Sequence, residues 1–543
     1  MNRPLNIALP KLTALAYPNT TTPRATLRFC GGVGAVTGAN FLLEVLPEMN
    51  KGAGEKIDQK KPKKSFQILV DCGLEQGSEF AEASNREPFP YDPAGVDILL
   101  VTHAHADHIG RIPKLVRDGF HGSIYSTPAT RDLAQVMLAD SLHILAEEAR
   151  QNHVPPLYEQ ADVTAAFALW KTIPYYTPMD IGSSVSVLAK DSGHILGSAM
   201  YELTIGTHIC PGIGGFSPHP SERSKLASAR SVNGKLTIVF TGDLGNSPAL
   251  FLRDTDSIAG ADYIVMESVY GDRNHESKEE RRAKLASVIA DTAHRKRALV
   301  IPAFSLERTQ DILFEINELE RAGKVPVVPV YLDSPLASAV TEVYSQYSSD
   351  FNSEARKMLA ADKRAEGNTA DLFTVSKFKQ TVTSRESQKI DDLPNPKIII
   401  AGSGMSHGGR VRAHEKRLLS DPNVTILLVG YQSLGTLGRQ LEDGARQVDM
   451  DGQKIPVKAE IKTIFGYSSH KDSDHLVEFI ADAAGENRDA SVIVPGFNKP
   501  PTVKKVFVAM GEPKSALFLA QRLRDYIGVN AVVPRKGDSV TLY

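Results

Sequence analysis

Between positions 103 and 108 the chain carries three histidines and an aspartate, His103, His105, Asp107 and His108, inside the string THAHADHIG of residues 102–110. Two histidines two apart can aim their imidazoles to the same side of an extended segment. An Asp-His pair one step later, at a helix start, can face the same point from the other side. Imidazole and carboxylate together suit zinc, with manganese or iron less exclusively favoured. The plainer alternative is a chance polar run on the surface. Four ligand-type side chains at this density, bracketed by an apolar run and a helix start, point instead to a metal site.

The positioning elements follow from pattern. Residues 96–101 are a short apolar run of buried-strand type, and 109–116 read as the opening of a helix, so the cluster sits on a strand-to-helix turn. The same grammar recurs along the chain. Strand Phe66–Val70 ends at Asp71-Cys72-Gly73, and a strand over 185–188 is followed by Gly193-His194. Strand Leu236–Phe240 runs into Thr241-Gly242-Asp243, and Tyr263–Met266 delivers Glu267. A strand followed by His or Asp, with Gly nearby, predicts Asp71, the cluster, His194 and Asp243 on one rim of a sheet. Helical spacing covers 130–152 and 163–172, and His143 and His153 there read as helix-surface or core residues.

After residue 270 the pattern becomes strand-helix alternation: helix 278–292, strand 298–301, helix 307–321, strand 327–332 and helix 336–347. This predicts a doubly wound α/β lobe. Residues 362–395 are polar and read as irregular in part. Strand Lys397–Ala401 leads into GSGMSHGGR at 402–410, whose glycines lack the GxGxxG spacing of a dinucleotide site. Backbone amides around Ser403, Gly404, Gly408 and Gly409 ahead of a helix still suit phosphate, and Arg410 adds a forked donor. Ser468-Ser469-His470 places one more histidine on a Ser-rich turn before a helix.

Bulk properties narrow the class. At 543 residues, two or more lobes are expected, and 42% hydrophobic with 23% charged residues is a globular composition. A formal charge of −2 supplies no global basic field, so a nucleic-acid partner must be attracted by a local groove. Cys30, Cys72 and Cys210 are too few for a disulfide framework. No 18-residue apolar run occurs and the N-terminal stretch lacks a continuous apolar core, which predicts a cytoplasmic protein with no membrane partner. The lysine-rich 49–64 and the polar 211–233 read as loop insertions.

Taken together, DCG at 71–73, HAHADH at 103–108, GH at 193–194 and TGD at 241–243 resemble the metallo-β-lactamase fold, an αββα sandwich with its metal site at one sheet edge. ESVYGDR at 267–273, GSGMSHGGR at 402–410, GYQSLGTLGR at 430–439 and SSH at 468–470 narrow the resemblance to the β-CASP nucleases, the family of the cleavage-and-polyadenylation endonuclease subunit and its prokaryotic relatives. The fold class implied is α/β, a metallo-β-lactamase αββα sandwich with an inserted doubly wound α/β β-CASP lobe. The expected division is a leader at 1–24, the first part of the sandwich at 25–268, the β-CASP domain at 269–460 and the sandwich's C-terminal part at 461–543. Unlike the long archaeal members, no KH module is expected ahead of the sandwich.

The resemblance implies one metal at His103, His105 and His194 and a second at Asp107 and His108, with Asp243 bridging. Asp71 would orient the attacking water, Glu267 would hold His470, and His470 would serve as general acid. Ser403, Gly404, Gly408, Gly409, Arg410 and Ser469 would bind substrate. The implied cofactor is zinc, one or two ions per chain, with manganese as the alternative. The implied partner is single-stranded RNA, with DNA second, and a homodimer is compatible with the resemblance. One position departs from the pattern. The last family motif is usually His-Gly-Glu after a strand, and here Met510 precedes Gly511-Glu512. A thioether is a poor ligand for zinc or manganese. The DNA-cleaving branch also carries an apolar residue there, whereas the other motifs favour RNA. A small-molecule hydrolase of the same superfamily would lack the inserted lobe.

Overall fold

The computed structural model describes residues 24–47, 65–77, 81–206, 235–366, 371–406, 408–432, 435–485 and 502–543. The leader up to residue 23, the 49–64 insertion, the 211–233 insertion and His407 lie outside these residues.

Two seven-stranded sheets face each other. The first runs, in spatial order, Ser539–Leu542, Ala25–Gly31, Asn40–Val45, Phe66–Val70, Ile98–Leu100, Ser123–Ser126 and Trp170–Thr172. The second runs Ala531–Val532, Lys505–Val508, Tyr263–Met266, Leu236–Phe240, Ala199–Ile205, Val185–Asp191 and Met179–Gly182. Strand periodicity decides what lies between them. Ala25, Leu27 and Phe29 of the first sheet share a buried cluster with Val187, Leu203, Ile238 and Phe507 of the second. Leu69 turns the other way, toward the helix layer that includes Leu133 and Leu138 of Pro128–Gln151. Helices Ser473–Ala483 and Pro513–Arg522 cover the far side of the second sheet. Helix, sheet, sheet, helix is the expected sandwich.

The intervening chain builds a six-stranded, all-parallel sheet: Phe378–Gln380, Val330–Asp333, Lys397–Ala401, Ala298–Pro302, Val424–Val429 and Glu460–Ile464. Parallel strands covered on both faces read as continuous apolar runs, as KIIIA and VTILLV do. Leu299 and Ile301 pack with helix Arg308–Arg321 on one face, while Ala298 and Val300 pack with Val411, Leu437 and Leu441 on the other. The lobe is doubly wound, and its first face shares a continuous core with the sandwich. Phe251 carries this continuity, with its ring against Phe314, Tyr344, Phe351 and Phe373.

Three local expectations need correction. The helix expected over 163–172 stops at Ala168, and Trp170–Thr172 adds an edge strand, with Trp170 Nε1 donating to Ser126 Oγ at 2.9 Å. The stretch expected to be irregular in part holds helix Ser384–Asp392, started by a reciprocal cap between Thr383 and Glu386. Strand Glu460–Ile464 pairs with Val424–Val429, so the lobe's sheet extends past the expected boundary at 461.

Candidate active site

Asp71, the 103–108 cluster, His194, Asp243 and Glu267 follow strand ends on the rim of the sandwich, whereas His470 comes after strand Glu460–Ile464 of the lobe. Asp71 comes directly after Phe66–Val70 with φ +60, a left-handed conformation that aspartate tolerates better than most residues. Its backbone N–H donates to Leu100 O at 2.9 Å. Its buried carboxylate accepts from Thr102 N–H, Thr102 Oγ1 and His108 Nδ1, each at 2.8 Å. The neighbouring strand end therefore sits on Asp71, and His108 is held in the tautomer that leaves Nε2 open.

The other imidazoles are fixed in the same manner. His103 Nδ1 lies 3.0 Å from Thr102 Oγ1, whose own proton goes to Asp71, so His103 donates there and keeps Nε2 free. His194 Nδ1 donates to Ser469 O at 3.2 Å across a chain separation of 275 residues. His103 Nε2 and His194 Nε2 then lie 3.1 and 3.2 Å from His105 Nδ1. The same two Nε2 atoms are 3.4 and 3.5 Å from Asp243 Oδ2. His103, His105, His194 and Asp243 each bring one ligand atom within 4.8 Å of all the others.

Asp243 follows Gly242, whose φ of +53 and close approach to Thr102 leave no room for a Cβ: one would lie 2.7 Å from the Thr102 Cβ. The second carboxylate oxygen, Asp243 Oδ1, lies 3.4 Å from His108 Nε2, and His108 Nε2 is 3.9 Å from Asp107 Oδ2. His108 Nε2 and Asp243 Oδ1 are both buried without a hydrogen-bond partner among the described residues. Orphaned buried polar atoms are rare and costly. Two of them facing each other beside a cluster of converging imidazoles are the donor set of a divalent-cation site. The residues present therefore fit the metal that the fold implies.

The electrostatics suit ligand roles for His105, His194 and Asp243, whereas at His108 burial is outweighed by Asp243 and Asp71, which raise the imidazole well above its usual range. Burial, reinforced by His103, holds the His105 pKa well below the usual imidazole range. Burial and the nearby His470 do the same for His194, so both rings are neutral donors. Burial disfavours ionised Asp243, but His108 and His103 outweigh it and keep its carboxyl well below the ordinary value.

Beside this cluster, Glu267 Oε1 and Oε2 lie 3.0 and 3.1 Å from His470 Nδ1, and Oε1 also accepts the Leu244 N–H at 2.7 Å. Asp243, Glu267 and His470 form a second group of converging ligand-type atoms. Burial lowers the His470 pKa, yet the Glu267 carboxylate more than reverses it and raises the imidazole to about 9.

Met510 lines a small cavity with Asp71, His108, Gly242 and Glu267. Its φ is +44, its N–H donates to Gly32 O at 2.7 Å, and its Sδ would be 2.5 Å from a Cβ on Gly32. Its side chain thus occupies the space beside His108. His475 Nδ1, on the helix that follows His470, is engaged by Asp472 Oδ1 at 2.7 Å.

The loop at 402–410 lies on the lobe. Ser403 N–H donates to Gly408 O at 3.3 Å, and Gly409, at φ +69, packs against Gly402 O, where a Cβ would come within 2.4 Å. Gly404 abuts Phe304 and its carbonyl accepts from Gln432 Nε2 at 3.1 Å. Arg410 Nη1 donates to Asp333 Oδ1 at 2.7 Å and to Thr381 O at 3.2 Å, and Nη2 donates to Val382 O at 2.6 Å. Ser469 alone of the six proposed substrate residues adjoins His194 and His470. Arg308, unremarked in the sequence, also comes to this seam, with Nη2 3.4 Å from Ser469 Oγ.

Residues 63–208 match the model of a metallo-β-lactamase superfamily domain, and residues 309–441 match that of the β-CASP domain. Ribonuclease TTHA0252 of Thermus thermophilus is 31% identical over 413 residues, covering 76% of this chain and 85% of that protein. The chain belongs to the β-CASP metallo-β-lactamase family. Within that family it is also similar to the RNase J-like protein of Methanocaldococcus jannaschii, 29% identical over 87% of this chain and 93% of that one. Transcription termination factor FttA of Methanosarcina mazei is 30% identical over 83% of this chain, which spans 64% of that factor's length. As a β-CASP member, the chain has its inserted lobe where the family's domain model places it, between the two parts of the sandwich.

Proposed function

We propose that this β-CASP protein is a metal-dependent ribonuclease that hydrolyses phosphodiester bonds of single-stranded RNA in RNA processing or decay. The observation that carries the proposal is the facing pair His108 Nε2 and Asp243 Oδ1, orphaned and buried beside the His103–His105–His194 cluster. His103, His105, His194 and Asp243 would hold one divalent cation. Asp107 and His108, sharing Asp243, would hold a second. Zinc suits this set best and manganese is the alternative. When bound, such cations acidify water and stabilise charge that develops on the phosphate oxygens.

The chain's own residues do the rest. Asp71 would serve as a positioning residue: its carboxylate accepts from Thr102 and His108 and so fixes the His108 ring. Glu267 accepts from His470 Nδ1 and sustains the protonated ring, so His470 can donate a proton from Nε2 to the departing ribose oxygen. Ser469 lies between His470 and the lobe, where a substrate backbone would enter. Among the described residues no helix is long and apolar enough to cross a membrane, and a cytoplasmic location suits the proposed substrate.

Incubating the purified protein with end-labelled single-stranded RNA and DNA, with zinc or manganese and with a chelator, tests the proposal. Metal-dependent cleavage of RNA is expected. Cleavage of DNA alone would favour the alternative nuclease, for which Met510 is the specific pointer.

A further inference from the structure

We propose that Arg308 is the core of a subsite for one backbone phosphate of single-stranded RNA, next to the phosphate that is cleaved. The proposal rests on the ribonuclease reading above and names a residue that recognises its substrate. Arg308 is 7% exposed, yet its Nε and Nη1 are buried with no hydrogen-bond partner among the described residues. Nη2 reaches Ser469 Oγ only at 3.4 Å. A guanidinium is an obligate cation with five donors in a fork that matches phosphate oxygens. Burying one with open donors is unfavourable unless something completes it.

The surrounding charges do not complete it. Its acidic neighbours are Asp311 on its own helix and Glu307 directly before that helix. Burial pushes the Asp311 carboxyl up to about 7, and burial together with Asp311 raises Glu307 well above its ordinary value. Glu307 is in any case engaged by the Tyr344 hydroxyl. Arg281 adds a like charge nearby, and its own guanidinium is paired with Glu315 at 3.1 Å. The Tyr467 ring stands 5.9 Å from the Arg308 Cζ.

Topology supplies an independent argument. In the lobe's parallel sheet, strand Ala298–Pro302 lies between Lys397–Ala401 and Val424–Val429. The chain leaves Ala298–Pro302 on one side toward Val330–Asp333, and later crosses from Lys397–Ala401 to Val424–Val429 on the other side. The gap between Ala298–Pro302 and Val424–Val429 is therefore one of the points where neighbouring strands lead off in opposite directions, and ligands of open α/β sheets bind outside the strand carboxyl ends at such points. Arg308 begins the helix after the first of these strands. Gly430, directly after the second, faces it: a Cβ there would be 3.9 Å from the Arg308 Cζ. Across the seam, Ser469 O holds His194 Nδ1 and His470 follows in sequence. A phosphate on Arg308 would lie one residue's reach from the catalytic histidine.

The test is binding of a fluorescent, cleavage-resistant 2′-O-methyl oligoribonucleotide across a salt titration, for the wild type, Arg308→Lys and Arg308→Met. The subsite predicts about tenfold weaker binding for Arg308→Met. It also predicts a log K against log salt slope shallower by about 0.7. Arg308→Lys should keep the slope, because the charge remains, and still lose affinity, because the fork is gone. Should Arg308→Met fail to fold, Arg308→Lys decides alone: several-fold weaker binding at unchanged slope supports the subsite. Variants that fold and bind with wild-type affinity and slope overturn the subsite while leaving the ribonuclease reading intact. A wild type that binds no RNA overturns both.

Discussion

Asp71 Oδ2 accepts a 2.8 Å hydrogen bond from His108 Nδ1, joining two fully buried side chains 37 residues apart in the chain. This contact sets which His108 nitrogen faces Asp243. Removing such a partner of a ligating histidine commonly costs about 10–100-fold in metal affinity. Asp71→Ala should therefore weaken zinc or manganese binding by that order in a competition titration with a chromophoric chelator. Unchanged affinity would show that the carboxylate acts elsewhere.

His470 and Glu267 make a pH prediction. Burial lowers the His470 pKa but Glu267 raises it further, to about 9. A general acid works protonated, so turnover should fall as pH rises through the His470 pKa. Glu267→Gln removes the raising charge and leaves the burial, so the alkaline limb should move to lower pH. His470→Ala should lower turnover by about 10²–10⁴-fold with metal content retained. Metal lost together with His470 would make it a ligand instead.

Arg410 should behave as a structural residue. Its guanidinium binds Asp333 Oδ1 and the carbonyls of Thr381 and Val382. Hydrogen bonds to charged groups contribute about 1.5–3 kcal/mol, so Arg410→Ala should lose roughly 2 kcal/mol of stability. RNA affinity should be unchanged across a salt titration. A drop in affinity at unchanged melting temperature would assign Arg410 to substrate after all.

Much of this arrangement was legible in the sequence because its signals are local. Three of the ligand histidines, His103, His105 and His108, sit within six residues, and His194 and Asp243 each follow their own apolar strand. The lobe's alternation of strand and helix is equally local. Arg308 carried no such signal. Its partners Ser469 and Gly430 lie 161 and 122 positions away, and only the winding of the sheet brings them together. Strand Glu460–Ile464 spans the expected boundary for a related reason, because its pairing with Val424–Val429 is settled by tertiary contacts. The helix at Ser384–Asp392 was different: its cap, Thr383 with Glu386, was present to be read beneath a polar composition.

Met510 sets the expected metal stoichiometry. It is buried beside His108, its sulfur against Gly32, and it supplies no good zinc or manganese ligand. After moderate dialysis, elemental analysis should find closer to one tightly held ion per chain than two. Met510→His should raise that ratio. Two ions retained by the wild type, with no gain in the variant, would show that another residue completes the second position.

The central claim is that the converging His and Asp side chains perform metal-dependent RNA hydrolysis. Its most direct test is turnover of end-labelled single-stranded RNA by the wild type and by Asp243→Asn, each with chelator and then with zinc or manganese restored. Chelator should abolish wild-type cleavage, and added metal should restore it. Asp243→Asn should stay folded by circular dichroism yet lose most of its turnover, because it removes the carboxylate that would be shared by both cations. Near-wild-type cleavage by Asp243→Asn, or cleavage indifferent to the chelator, would contradict it.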